Sequence, residues 1–215
     1  MATARREPLV LLLLAVALLI LSGIGPTDRL TWWLEVAPVI IGIGLLLATW
    51  RRFPLTPLLC RLLFIHAAIL MLGGHYTYAQ VPLGFWFQDL LDLSRNHYDR
   101  LGHLAQGFVP AILAREILIR RSPLGLEQHR GSRWLGFIAV SICLAFSALF
   151  EMFEWWVSLL AGAQGDAYLA TQGDVWDTQW DMFLALIGAI VAVATLARLH
   201  DRQLARLEEA HGCGV

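Results

Sequence analysis

Lysine is absent from this chain, charge is scarce, and cysteine occurs only three times. The missing lysine leaves all 16 basic residues as arginine, a usage that reflects coding bias in a GC-rich genome more than chemistry. Charged residues fill 15% of the 215 positions and hydrophobic ones 58%, whereas soluble domains are about a quarter charged and about half apolar. With a mean hydropathy of +0.62, that balance excludes an ordinary soluble domain. Cys60, Cys143 and Cys213 are too few and too scattered for a disulfide framework or a paired-cysteine metal site. The apolar segments lack the strict alternation of a barrel strand, which excludes a closed β-barrel and leaves helices as the way to satisfy backbone groups in lipid. There is no HExxH or similar metal motif, no internal repeat and no low-complexity linker, and no nucleic-acid partner is expected.

What is present is a series of apolar runs, at about 9–24, 33–50, 58–74, 101–119, 135–160 and 182–199. About 20 helical residues cross a hydrocarbon core of about 30 Å. These runs therefore predict an all-α polytopic membrane protein, one transmembrane domain over 1–215 built as a single bundle of about six helices. The first run, in "RREPLVLLLLAVALLILSG", also has the shape of a secretory signal, but no small-x-small cleavage site follows it, so it reads as a retained helix. If the N-terminus is cytoplasmic, 13 arginines fall inside (Arg5, Arg6, Arg51, Arg52, Arg61, Arg115, Arg120, Arg121, Arg130, Arg133, Arg198, Arg202 and Arg206) and only Arg29, Arg95 and Arg100 outside. The positive-inside rule then sets both termini in the cytoplasm. The outer segment after Pro82 alternates Phe85, Trp86, Phe87, Leu90, Leu91 and Leu93 with Gln88, Asp89 and Asp92, which predicts an interfacial helix over about 85–93. The lipid bilayer is the expected partner. Oligomeric state leaves no mark in the sequence.

Polar residues enter these runs in a pattern. Asp99, His103, Gln106 and Pro110 are spaced four, three and four apart, so they share one stripe of the fourth span. Ser147, Glu151, Glu154 and Ser158 repeat that spacing on the fifth, and Asp174, Asp177, Asp181 and Gly188 line up on the sixth. At 1.5 Å per residue, His103 and Gln106 lie roughly 6 and 10 Å deeper than Asp99. Facing lipid there would cost roughly 2.5–3.5 kcal/mol per charged residue near the centre. The stripes are therefore expected to face one another around a wet pocket opening outward.

So many acids cannot sit together ionised without compensation, because like charges repel in low dielectric. The compensating cation is Arg95, Arg100, a protonated His103, His75 or His97, or a divalent metal. Carboxylates with imidazole suit Mg²⁺, Mn²⁺ or Zn²⁺, and Glu151, Glu154, Asp177 and Asp181 are the candidate ligands. The bland alternative is that these groups only tie helices together, as polar residues do in bundles. Elsewhere the bland reading leads. His66 reads as a packing residue more readily than a proton relay, Arg61 snorkels, Glu35 marks an outer interface beside Trp32 and Trp33, and Gly42 and Gly44 allow close helix packing. Trp155, Trp156, Trp176 and Trp180 form an aromatic belt, from which Trp155 could stack on a sugar or lipid headgroup.

The segments "HYTYAQVPLGFW", "RNHYDRLGHLAQGFVPAILAREIL", "FEMFEWW" and "QGDVWDTQWDMFLALIGA" closely resemble the YjdF-like inner-membrane proteins, a family with a domain of unknown function. That resemblance implies a multi-span protein of the bacterial cytoplasmic (inner) membrane without an established activity. A more distant likeness is to VanZ-like membrane proteins, which are associated with glycopeptide-antibiotic tolerance. Their pattern of Asp–basic–x–x–His, Glu–x–x–Gln and Asp–x–x–x–Asn–x–x–Gly is met by Asp99, Arg100 and His103, by Glu151, and by Asp181 and Gly188. Glu154 stands where glutamine is usual, and Ala185 replaces the asparagine.

The leading expectation is a site acting on a lipid or lipid-linked headgroup at the outer leaflet. His103 would be the general acid or base, oriented by Asp99 or Glu151. Arg95, Arg100, Gln106 and Trp155 would contact substrate, the arginines through a phosphate. Two rivals stay open: a transporter with an acidic vestibule, and a non-catalytic membrane scaffold.

Overall fold

The computed structural model describes residues 6–125, 132–161 and 172–212. Among the described residues there are seven α-helices and no strand: α1 (Arg6–Ser22), α2 (Arg29–Thr49), α3 (Pro57–Tyr76), α4 (Pro82–Leu91), α5 (Tyr98–Arg121), α6 (Arg133–Ala161) and α7 (Asp177–Gly212). Arg5, Arg130, Cys213 and the first half of the acidic last loop, 162–171, lie outside the described residues.

Side chains set several helix starts. The Asp28 carboxylate accepts from the Thr31 backbone N–H at 2.7 Å, opening α2. Thr56 caps α3 ahead of Pro57, whose missing N–H costs nothing at the first helical position. At the start of α5, the Asn96 amide oxygen accepts from Tyr98 N at 3.0 Å while its NH₂ donates to the Val81 carbonyl, also at 3.0 Å. Asn96 thus ties the head of α5 to the head of α4.

Helices α2, α3, α6 and α7 are long and apolar enough to cross a membrane. At 17 residues α1 is shorter than a comfortable span. Helix α5 has 24 residues but carries Asp99, Arg100, Arg115, Glu116, Arg120 and Arg121. Each of the six apolar runs nonetheless falls on one helix: α1, α2, α3, α5, α6 or α7. Helix α7 has 36 residues, about 54 Å at 1.5 Å each, far more than a bilayer core needs. Its second half is the arginine-bearing tail. The segment after Pro82 forms α4, whose Phe85, Trp86, Phe87, Leu90 and Leu91 are all exposed.

Helix α5 is the central element, packed against α3, α6 and most extensively α7. Small residues allow this approach: a Cβ on Gly107 would stand 1.8 Å from the Ala185 carbonyl oxygen, and one on Gly188 2.2 Å from the Leu104 oxygen. Ala111, Ala185, Ala189 and Ala192 complete the seam, all fully buried. Gly42 and Gly44 depart from the sequence expectation. A Cβ on either meets nothing within 4 Å, so neither glycine serves close helix packing, and Gly42 instead faces a cavity.

A polar lock closes the end of the bundle where α5 finishes. The Glu116 carboxylate accepts from the Thr56 hydroxyl at 2.8 Å and from Arg120 at 3.0 Å, and lies 3.0 Å from His200 Nε2. Arg115 donates to His200 Nδ1 at 2.9 Å and to both Asp201 oxygens at 2.7 and 3.0 Å. With Nδ1 accepting, the imidazole proton sits on Nε2 and points at Glu116.

Candidate functional site

At the opposite end of the bundle, α5 presents Asp99, His103 and Gln106 on successive turns. The α5–α7 seam brings Asp181 to the same place, and α6 supplies Ser147, Glu151 and Glu154. The centre is His103. Its Nδ1 lies 2.9 Å from the Gln106 amide oxygen and 3.6 Å from Glu151 Oε1. Its Nε2 lies 3.5 Å from Asp99 Oδ1 and 3.9 Å from Asp181 Oδ2. Three acids from three helices surround one imidazole. With Nδ1 donating to Gln106, a bare Nε2 would turn its lone pair toward two carboxylates. The arrangement calls for positive charge there, either a proton on Nε2 or a cation among the three groups.

Ligand geometry fits a cation. One ligand atom each from Asp99, His103 and Asp181 lies within 4.8 Å of the other two. Glu151 Oε1, Asp181 Oδ1 and the Ser147 hydroxyl are buried without a hydrogen-bond partner among the described residues. Such orphaned acceptors are costly unless something outside the chain meets them.

The expected metal ligands separate. Asp181 joins Asp99 and His103, and Glu151 stands beside the ring. Asp177 instead accepts from Arg95 at 2.6 Å, while Asp174 accepts from Arg95 at 3.2 Å and from Arg100 at 3.0 Å. Arg95 and Arg100 are thereby drawn into a salt cluster at the mouth of the site, and Arg100 also lies 5.2 Å from the Trp180 ring centre. His97, beside them, has its pKa lowered by partial burial and by the Arg100 and Arg95 charges, so the arginines carry the positive charge of this rim. Glu154 is buried and lines the cavity. Trp155 is 58% exposed next to exposed Trp156, outside the cluster.

Two residues join the site without having been singled out for it. Glu35, read from the sequence as an interface marker, is buried and lines the same cavity as Asp99 and His103. Tyr78 hydrogen-bonds to it. The Tyr78 ring is wedged between α3 and α5: a Cβ on Gly73 would come within 2.3 Å of it and one on Gly102 within 2.8 Å. Thr77, just before it, has φ 60 and ψ 137, a strained conformation for a β-branched residue. Burial, then the Glu35 and Asp99 carboxylates, push the Tyr78 hydroxyl well above its usual range, so it stays a hydrogen-bond donor.

Beside the cluster runs a cavity of about 1360 Å³. Glu35, Tyr78, Asp99, His103, Gln106 and Glu154 line one end of it. Beyond Gln106 the lining turns apolar, with Pro110, Leu113 and Ile117 from α5, Phe146 from α6, and Ile41 and Leu45 from α2. Ile41, Leu45, Ile117 and Phe146 are all exposed, so the flank between α2 and α6 is open.

Residues 7–202 match the family model described as "Predicted membrane protein (DUF2238)". The inner membrane protein YjdF of Escherichia coli (strain K12) is 54% identical over 207 residues, which covers 95% of this chain and 97% of that protein. No solved structure matches the chain.

Proposed function

This chain belongs to the DUF2238 family of predicted membrane proteins, and from that premise we propose that it is an inner-membrane protein whose histidine-centred pocket faces the outer leaflet and acts on a lipid or lipid-linked headgroup. The inner-membrane location rests on the similarity to YjdF, named for that membrane. In this reading six helices span the bilayer and both termini are cytoplasmic, as the arginine distribution favours. His103 is held by Asp99 on one side and by Gln106 and Glu151 on the other, and Glu151, whose Oε1 is left without a hydrogen-bond partner beside the ring, transfers protons. Asp99, His103 and Asp181 hold a divalent metal, and Glu151 and Glu154 complete the acidic wall. Arg95 and Arg100 steer an anionic headgroup toward the mouth, and Trp155 sits with the belt at headgroup depth.

The observation that carries this reading is one cavity with a polar end at His103 and an apolar length open at its flank. That division matches an amphiphile. An ion or polar-solute transporter would want a polar route inward, and past Gln106 the lining offers Pro110, Leu113, Ala114 and Ile117 from α5, with His66 and, at the far end, Arg51 the charged or polar exceptions.

Elemental analysis and lipid mass spectrometry on gently purified protein test it. The expected result is a stoichiometric divalent metal with co-purifying lipid, the metal lost in Asp99→Asn and Asp181→Asn. Metal-free, lipid-free protein that still performs its cellular role would overturn it.

A further inference from the structure

We infer that Asp174 is an internal stand-in for a ligand at the mouth of the site: its carboxylate occupies the seat of a phosphate-class oxyanion between Arg95 and Arg100, and yields that seat when such an anion arrives. This rests on the reading of the two arginines as contacts for an anionic group. A single oxygen, Asp174 Oδ2, accepts from Arg95 Nη2 at 3.2 Å and from Arg100 Nη2 at 3.0 Å. The other oxygen is committed elsewhere, accepting from the Trp176 backbone N–H at 3.0 Å. One carboxylate oxygen thus serves two guanidinium groups.

That service is incomplete. Arg100 Nε is buried and meets no hydrogen-bond partner among the described residues, and the same holds for His97 Nδ1. His97 lies near enough to Arg95, Arg100 and Asp174 to feel the charge of all three. An unmet buried donor is costly. A phosphate group carries three strong acceptor oxygens and about −1.5 to −2 charge at pH 7, where Asp174 has one oxygen left to offer. It can take both Nη2 atoms and the idle Nε together, in the fork geometry that guanidinium favours. With Asp174 turned away, Arg95 and Arg100 also outnumber the remaining carboxylate of Asp177.

Asp174 is placed to yield. Its side chain is 23% exposed and that of Arg100 24%, so an anion reaches the pair from solvent. Val175 and Trp176 beside it are 84% and 62% exposed, so little packing pins the carboxylate and a side-chain rotation frees the seat. The surroundings stay tied meanwhile. Gln172 Nε2 donates to the Asn96 carbonyl at 2.7 Å, and Asp177 holds Arg95 at 2.6 Å.

The experiment titrates full-length protein in phosphatidylcholine nanodiscs with inorganic phosphate at neutral pH, read by calorimetry. A second arm adds dioleoyl phosphatidate to the nanodiscs and counts retained lipid by native mass spectrometry. Asp174→Asn keeps an acceptor for Trp176 and removes the charge, and Asp174→Ala is the second variant. Both should bind phosphate, phosphatidate or both about fivefold more tightly than the parent, the release of about 1 kcal/mol of ion pairing. Arg100→Gln should abolish the binding. Affinity that is unchanged or weakened in the Asp174 variants, binding untouched by Arg100→Gln, or no binding of either probe would overturn the inference. So would failure of both Asp174 variants to fold, which would make the carboxylate a structural tie. Phosphate binding without phosphatidate retention keeps the stand-in and removes the lipid headgroup reading, so the two fail separately.

Discussion

Gly107 lies so close to Ala185 that a single added carbon would stand 1.8 Å from the Ala185 carbonyl oxygen. This contact sets α5 against α7 and so places His103 beside Asp181. Gly107→Ala should cost about 1–3 kcal/mol through overpacking of a close-packed seam, measured as thermal unfolding in detergent. Gly42→Ala, whose new carbon meets nothing within 4 Å, should stay within about 0.5 kcal/mol of the parent.

His103 compensates the three acids around it. His103→Ala should destabilise the protein by about 3–5 kcal/mol, the usual effect of leaving buried charge uncompensated. Adding Asp181→Asn to that variant should recover part of the loss. A double-mutant cycle on unfolding midpoints checks this, and strictly additive effects would mean the two side chains do not interact.

If Asp99, His103 and Asp181 hold a metal, Mn²⁺ or Zn²⁺ should raise the unfolding midpoint and a chelator should lower it. At a free concentration 100 times the dissociation constant the gain is about 2.7 kcal/mol. Asp99→Asn and Asp181→Asn should abolish the response. Asp177→Asn should retain it, because Asp177 is committed to Arg95.

At the other end, Glu116 and His200 are both completely buried, and Asp201 is 46% exposed. Glu116→Ala strips the acceptor from Thr56, Arg120 and His200 together and should cost about 3–5 kcal/mol. Asp201→Ala removes a half-exposed carboxylate but takes both of its bonds from the buried Arg115 guanidinium, and should cost about 1–3 kcal/mol. Comparing the unfolding midpoints of the two variants separates a buried lock from a surface one.

The three polar stripes could be read from the chain because each lies within one helix, where four-three-four spacing fixes the face. Their meeting at His103 follows from the cost of turning charge toward lipid. Glu35 and Tyr78 left no such trace, since one polar residue per helix or turn has no period, and their approach depends on Gly73 and Gly102 making room for a ring. Glu116 and His200 are 84 positions apart, and nothing local announces their contact. The arginines at the mouth were visible, but their pairing with Asp174 and Asp177 is a matter of tertiary reach. That pairing thins the acid cluster to the set around His103. Helix α7 outlasts its apolar run, because hydropathy marks only the part suited to hydrocarbon while the helix continues through the arginine-bearing tail.

The most direct measurement of the central claim is quantitative mass spectrometry of inner-membrane lipids from cells expressing the parent protein, His103→Ala, Asp99→Asn or Asp181→Asn at equal levels in the membrane. The parent should change the abundance of a lipid or lipid-linked species, and each variant should leave that species as in cells without the protein. Lipid profiles that are the same with and without the parent, or that the variants shift as fully as the parent does, would contradict a headgroup-acting site at His103.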